Sequence, residues 1–347
     1  MIKASVVGAS GYVGQELIRL LWAHPQVEIL HITSTSKVGE PLNHMYGHFE
    51  GIVMKEFVPQ DLEQIATDSD VVFLALPHGV ASGLVTESIL EKTKIIDMGA
   101  DYRLKDLTEY EHWYKTEHLS PNLMKKSIYG LCELKGPQIA KYPLIANPGC
   151  YTTCSILTLA PLMGDDAFDL DSIVIDAKSG VTGAGRGLNL GTHYTECNES
   201  MKAYSVAAHR HTPEIEEQLS EVAGRSIRLV FTPHLAPMNR GILATCYIRM
   251  KKPLTWNEIN ERYQAFYKDQ PFVRTLKEGI LPETRWVKGS NYCDIGWKVD
   301  ERTQTLVTIG AIDNLVKGAA GQGVQNMNIL FGFNETEGLA HVPIFPV

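Results

Sequence analysis

The chain has 347 residues, 44% of them hydrophobic and 21% charged, which suits two globular domains of ordinary size and excludes a disordered or fibrous protein. A net charge of -8 with no long basic run argues against nucleic-acid binding, and no stretch approaches the ~20 apolar residues of a membrane span. The N-terminus enters a strand at once, leaving no room for a signal or transit peptide, and the six cysteines (132, 150, 154, 197, 246, 293) show no zinc spacing, so a cytoplasmic protein with free thiols and no metal is expected.

In chain order, residues 2–7 form an apolar strand, followed by Gly8-Ala9-Ser10-Gly11-Tyr12-Val13-Gly14. A helix comes next, with Val13, Leu17, Leu20 and Leu21 on one face, and stops at His24-Pro25. A second strand over 27–33 completes a βαβ unit. Glycines at such a turn either serve tight packing or let the backbone approach a pyrophosphate. Their place after a strand and at the head of a helix favours a dinucleotide. NAD-binding chains usually put an acidic residue about 20 positions further on. Here that place holds Thr33-Ser34-Thr35-Ser36-Lys37, hydroxyls and a cation that suit a 2′-phosphate, so NADP(H) is the expected cofactor.

Further strands are predicted at 71–76 and 94–97. The first leads through Pro77-His78-Gly79 into a helix over 80–90, and His78 either lines the ligand crevice at the strand ends or packs beside it. Residues 101–126 are charged and aromatic without periodicity and read as an irregular surface segment. A short strand over 144–146 then meets Asn147-Pro148-Gly149-Cys150-Tyr151-Thr152-Thr153, where Pro148 and Gly149 force a turn. Cys150 falls in the first turn of the helix that continues through 155–162. Amides and the positive end of the dipole favour a thiolate there and can receive an oxyanion, so Cys150 is a nucleophile candidate. The alternative is a buried structural cysteine. Cys154, one turn further, reads as packing.

A strand over 172–177 leads into the glycine-dense loop Lys178-Ser179-Gly180-Val181-Thr182-Gly183-Ala184-Gly185-Arg186-Gly187, whose cations suit an anion. Residues 188–208 lack periodicity. His209-Arg210-His211-Thr212-Pro213-Glu214 opens a helix to about 222, and His211 with Glu214 can form a base and its orienting carboxylate or an ordinary helix cap. Strands dominate beyond 227. Even positions from Ile242 to Met250 are apolar, and Thr255 with Glu258 forms a capping box for a helix over 256–268. Further strands lie near 273, 292–299 and 305–312, so a mostly antiparallel sheet is expected for 150–313. Asp313-Asn314-Leu315-Val316-Lys317-Gly318-Ala319-Ala320-Gly321-Gln322 precedes a closing helix through Asn326 and Leu330.

These motifs together carry a resemblance. Gly-Ala-Ser-Gly-Tyr-Val-Gly at 8–14, Asn-Pro-Gly-Cys-Tyr-Thr-Thr at 147–153, Ser-Gly-Val-Thr-Gly-Ala-Gly-Arg at 179–186, His-Arg-His-Thr-Pro-Glu at 209–214 and the run 313–322 stand in the order of one family. The chain closely resembles the long form of the N-acetyl-γ-glutamyl-phosphate reductases of arginine biosynthesis, over essentially its whole length. Aspartate-semialdehyde dehydrogenases, which share the first and last motifs, are the related family. Cys132 in Tyr129-Gly130-Leu131-Cys132-Glu133 departs from the expected Pro.

The resemblance implies an α/β Rossmann domain over 1–149 and 314–347, with an inserted α+β catalytic domain over 150–313. It implies Cys150 as nucleophile, with His209 or His211 as acid/base and Glu214 beside them. Gly8, Ser10, Gly11, Tyr12, Val13, Gly14, Ser34, Ser36, Lys37, Pro77, His78, Ser179, Gly180 and Asn314 would meet the cofactor, Asn314 at the nicotinamide carboxamide. Asn147, Lys178, Arg186, Arg210 and Arg240 would hold an acyl-phosphate substrate. No metal, nucleic acid or membrane is implied, and a homodimer or homotetramer is. The rivals are a reductase of another acyl phosphate, of aspartyl or aminoadipyl type, and a non-catalytic NADP-binding sensor.

Overall fold

Two units, each built on its own seven-stranded sheet, make up the chain, and a computed structural model describes residues 1–346. The first unit holds residues 1–148 and 319–340, the second residues 149–318 and 341–346. The later border therefore falls after Gly318 rather than before Asn314. Asn314 stays with the second unit because its carboxamide is used there: Oδ1 accepts from the Gly241 amide at 2.8 Å, and Nδ2 donates to Thr182 Oγ1 at 3.0 Å. The expected assignment of 314–347 to the first domain thus divides, and Val347 lies outside the described residues.

The first unit is a doubly wound sheet of β1 (Ile2–Val7), β2 (Val27–Thr33), β3 (Phe57–Val58), β4 (Val71–Leu74), β5 (Lys94–Asp97), β6 (Ser127–Tyr129) and β7 (Leu144–Ala146). All neighbours are parallel in the order β3-β2-β1-β4-β5-β7-β6, so the order reverses between β1 and β4. The inner strands β4 (VVFL) and β7 (LIA) read as unbroken apolar runs and are buried throughout, as strands covered on both faces are. Helix Tyr12–Trp22 buries Leu17, Leu20 and Leu21 as its period requires.

Two expectations change here. The helix foreseen over 80–90 is two short helices, Ala81–Leu84 and Glu87–Lys92, because the chain turns extended at Val85 and Thr86 caps the second, accepting from the Ile89 amide. The segment 101–126 is no surface loop: Asp106 caps helix Leu107–Tyr114, and Asp101, Tyr102, Arg103, Tyr110 and His118 are buried.

The closing helix Gly321–Leu330 buries Gln322, Gln325, Asn326 and Asn328. Its amides repay that burial with hydrogen bonds: Asn326 Nδ2 donates to the Gly130 carbonyl at 2.8 Å and to Asn147 Oδ1 at 3.1 Å. Cys132 joins this network, its thiol donating to Asn326 Oδ1 at 3.2 Å and accepting from Gln322 Nε2 at 3.0 Å.

The second unit contains β8 (Phe168–Gly180), β9 (Lys202–Ala203), β10 (Val230–Ala236), β11 (Ile242–Met250), β12 (Val273–Thr275), β13 (Cys293–Asp300) and β14 (Thr305–Ile312). They lie in the order β12-β13-β14-β11-β8-β10-β9, parallel at β8/β10 and β12/β13 and antiparallel at the other junctions. Helix Cys150–Leu159 packs on β11 and β14, closely enough that a Cβ at Gly310 would fall 3.2 Å from the Cys154 sulfur. The Thr255–Glu258 capping box is formed and starts helix Trp256–Phe266.

The opposite face of this sheet shows a row of partly exposed side chains, Val230, Val174, Tyr247 and Val307, aligned by register across four strands. Among the described residues no helix is long and apolar enough to cross a membrane.

Candidate active site

The second unit carries the thiol. Helix Cys150–Leu159 begins after Gly149, which has no side chain to cap it. Cys150 is half-buried, whereas Cys132, Cys154, Cys246 and Cys293 are buried; Cys197, also half-buried, lies on the short helix Tyr194–Cys197. Burial pushes the Cys154 and Cys246 thiols far up, so packing is their work.

The turn is held from several sides. Glu214, fully buried, accepts from the Gly149 amide at 2.9 Å and from the Thr152 hydroxyl at 2.8 Å, both on Oε1. Thr153 Oγ1 donates to the Gly149 carbonyl at 2.9 Å. On the far side, in the π-helical turn Val316–Ala320, a Cβ at Gly318 would fall 2.8 Å from the Cys150 Cβ.

Tyr151, next along the chain, brings both histidines to the cysteine helix. Its ring lies edge-on to His209 at 5.7 Å and His211 at 6.1 Å, and the two imidazoles are 4.7 Å apart. His209 is boxed in by Tyr151, Tyr204 and Phe231 and only 8% exposed. Its Nδ1 accepts from the His211 amide at 3.1 Å, which assigns the remaining proton of the neutral ring to Nε2. Burial, helped by the Arg210 charge, pushes the His209 pKa down to about 4. His211 is more open. Tyr204 closes the cluster, donating to the Tyr151 hydroxyl at 3.4 Å, and burial pushes its phenol up to about 12.

The first unit carries the nucleotide turn, at the point where strand order reverses. Gly8 has φ of 82°, and a Cβ there would fall 2.4 Å from the Ala75 carbonyl oxygen. A Cβ at Gly14 would fall 2.6 Å from the Ala9 Cα. A Cβ at Gly11, by contrast, meets only the Gly8 oxygen at 3.7 Å. Packing within the chain therefore explains Gly8 and Gly14 but not Gly11, which heads helix Tyr12–Trp22 with no side-chain cap. A bare helix start with an open approach fits a pyrophosphate.

Ser34, buried, donates to Ser10 Oγ at 3.1 Å. Ser36 is exposed, and Lys37 pairs with Glu40 at 3.0 Å on the surface. No carboxylate stands at 33–37, so the residues present fit a 2′-phosphate. Tyr12 and Val13 are half-buried at the helix head. Pro77 and His78 are exposed on the neighbouring loop, where the His78 ring lies 5.6 Å from Tyr114.

Other expected residues are placed differently. Lys178 shares a strand face with Asp176, 2.8 Å away, and that face is opposite the one bearing Ile175 and Ala177 under the helices. Lys178 is thus not brought to the cysteine. Ser179 and Gly180 are buried at the end of β8, where a Cβ at Gly180 would strike the Asn239 carbonyl oxygen at 2.6 Å; packing accounts for that glycine. Asn314 ties two loops of the second unit together, as described above. Arg240 lies 3.5 Å from Asp313, while Arg186 and Arg210 are exposed. Asn147 belongs to the first unit, where its Nδ2 donates to the Ala319 carbonyl at 3.2 Å.

Sequence reasoning passed over Asp101 and Arg103. Asp101 accepts from the Gly79 and Ser82 amides and holds the His78 loop; Arg103 donates from Nε to the Asn147 carbonyl at 2.7 Å. The available signal was a close run of charge and aromatics without a helical period, which is how a buried polar cluster looks in sequence.

Two family models match the chain: the semialdehyde dehydrogenase NAD-binding domain over residues 3–142 and the semialdehyde dehydrogenase dimerisation domain over 150–314. The chain belongs to the semialdehyde dehydrogenase family. Within that family it groups with the N-acetyl-gamma-glutamyl-phosphate reductases. It is 50% identical to the one from Lachnospira eligens over 348 aligned positions, covering 100% of each chain, and 49% identical to that from Lachnoclostridium phytofermentans, again over 100% of each. A reductase of the same name from Campylobacter jejuni is 49% identical, over 97% of this chain and 98% of its own.

Among solved structures, aspartate semialdehyde dehydrogenase II from Vibrio cholerae, complexed with ASA, superposes with a TM-score of 0.72 at 16% identity, covering 96% of this chain and 98% of its own. Aspartate semialdehyde dehydrogenase with NADP from Candida albicans gives 0.66 at 17%, covering 95% and 99%. At such identities the likeness speaks for the fold.

Proposed function

We propose that the protein reduces N-acetyl-γ-glutamyl phosphate to N-acetylglutamate semialdehyde and phosphate with NADPH, as a step of arginine biosynthesis, and carries the acyl group on Cys150. One observation supports this above others. Cys150 is the half-buried thiol at the first turn of a long helix, with two imidazoles packed on the adjoining Tyr151.

The Cys150 thiolate attacks the acyl carbon, the bond to the phosphate oxygen breaks, and phosphate leaves with the electron pair, giving a thioester. Helix-start amides are the donors at hand for the oxyanion of that step. The chemistry NADPH supplies when bound at the Gly8–Gly14 turn is a hydride for the thioester carbon. His211 protonates the resulting oxyanion and takes the proton back as the carbon–sulfur bond breaks, which returns the thiolate. His209, sealed in its aromatic box, supports the His211 backbone rather than moving the proton. Arg186, Arg210 and Arg240 are the cations proposed for the substrate's phosphate and carboxylate.

The protein is further proposed to work in the cytoplasm as a homodimer. The face of the second sheet bearing Val230, Val174, Tyr247 and Val307 supports the dimer, because a second copy would cover it. The test of the reaction is phosphate-dependent reduction of NADP by the semialdehyde, with aspartyl and aminoadipyl analogues alongside. Cys150→Ser is expected to remove nearly all turnover while NADPH still binds. Full activity in that variant, or a preference for an analogue, overturns the proposal.

A further inference from the structure

We infer that Glu214 is a positioning residue for Cys150: its carboxylate caps the cysteine helix from a second helix and fixes the peptide from which the thiol projects. The inference rests on Cys150 being the acyl carrier. Helix starts are ordinarily capped by Ser, Thr, Asp or Asn at the N-cap, which satisfies an exposed amide. Gly149 occupies that position and has no side chain to offer. Glu214, in the first turn of helix Thr212–Ala223, instead takes the N–H of the N-cap residue itself, the bond that a capping-box carboxylate makes from within its own helix: it accepts from the Gly149 amide at 2.9 Å and from the Thr152 hydroxyl at 2.8 Å.

The other side of the same residue is held as well. The Gly149 carbonyl accepts from the Thr153 hydroxyl and the Thr153 amide, both at 2.9 Å, and lies 2.6 Å from Thr152 Oγ1, whose one proton it shares with Glu214. With Gly149 gripped at its N–H and its carbonyl, the backbone entering Cys150 has one direction. Gly318 then leaves no room beyond the Cys150 Cβ.

A fully buried carboxylate is costly unless its hydrogen bonds are made, so packing alone does not explain Glu214. Its charge has a second effect, opposed to the first. A negative group beside a helix start makes a thiolate there harder to form, while the cap keeps the helix amides aligned to favour it.

The other titratable groups around the turn are Tyr151, Tyr204 and Cys154 on its own side, and His209 and His211 ahead of the second helix. Asp313 precedes the π-helical turn that carries Gly318, and Lys317 lies within it. Glu214→Gln keeps an acceptor and removes the charge; Glu214→Ala removes both.

The experiment uses the full-length enzyme and reads turnover together with the rate of Cys150 alkylation by iodoacetamide across pH 5–9. Glu214→Gln is expected to keep kcat within about tenfold and to move the alkylation midpoint to lower pH. Glu214→Ala is expected to lose on the order of 10²-fold in kcat with KM for NADPH unchanged, and to alkylate more slowly than the Gln variant at pH 7. Thr152→Ala removes the hydroxyl that bridges the Glu214 carboxylate and the Gly149 carbonyl while leaving the carboxylate in place, and about a threefold to tenfold loss in kcat at unchanged NADPH KM is expected. Equal loss of turnover in the Gln and Ala variants, with wild-type alkylation in both, overturns the inference and gives the carboxyl a part in proton transfer. Unchanged kcat in Thr152→Ala overturns it too. Turnover surviving in Cys150→Ser would instead sink the carrier reading, while the alkylation profiles still report on the turn.

Discussion

Cys150 and Cys154 stand one helical turn apart and differ in everything that governs a thiol. Cys154 is fully buried against Gly310, and desolvation pushes it far up; Cys150 is half-buried at the helix start. The histidines divide in the same way. His211→Asn is expected to cost on the order of 10²-fold in kcat, and His209→Asn less; a larger loss in the His209 variant, measured in the same assay, would exchange the two roles.

His209 also makes a prediction about stability. Its folded pKa of about 4 lies below the ordinary histidine value of 6.5, so between those values the unfolded chain binds the extra proton. The contribution of the neutral ring is full above about pH 6.5 and is lost as pH falls toward 4. Thermal unfolding followed from pH 7.5 to 4.5 is expected to show a falling Tm, and His209→Phe is expected to flatten the slope. An equal slope in both proteins would refute the assignment.

At the scale of elements, the glycine turn separates packing from binding. Gly14→Ala puts a Cβ into the Ala9 backbone and is expected to lower Tm by several degrees. Gly11→Ala meets open space on its own chain, so Tm is expected to hold while NADPH affinity falls about tenfold or more. Nucleotide fluorescence titration with differential scanning calorimetry tests the pair, and a reversed pattern would mean that Gly11 serves the fold alone. The end of β2 is the place proposed to set the choice of nucleotide: Ser34→Asp is expected to shift the preference from NADPH toward NADH, read as the ratio of the two kcat/KM values.

These turns were legible in the sequence because their chemistry is local: glycine spacing, Pro-Gly before Cys, and Thr-x-x-Glu each act within a few residues. The segment 101–126 was not legible. Its charges are satisfied by distant partners, as Asp101 is by the Gly79 and Ser82 amides, and no local period records that.

Taken as a whole molecule, the chain has an asymmetric second sheet, with helices packed on one face and a partly exposed row on the other. Tyr247→Lys, in the middle of that row, is expected to break the proposed homodimer, and sedimentation velocity on wild type and variant checks it. A wild-type monomer would refute the homodimer, and a variant dimer as tight as wild type would move the interface elsewhere.

The same asymmetry explains the misplaced lysine. Alternation in β8 shows that Asp176 and Lys178 share a face, since strand side chains repeat every two residues. It does not show which face the helices take. By itself the sequence determined a doubly wound sheet and a mostly antiparallel one, the glycine turn and the cysteine turn, because each follows from spacing and backbone chemistry along a short stretch of chain. Only the tertiary structure decided which histidine is sealed, that Glu214 reaches the cysteine helix, and that Asn314 is held in the second unit. Those outcomes depend on partners tens to hundreds of residues away, brought together by packing that no local pattern encodes.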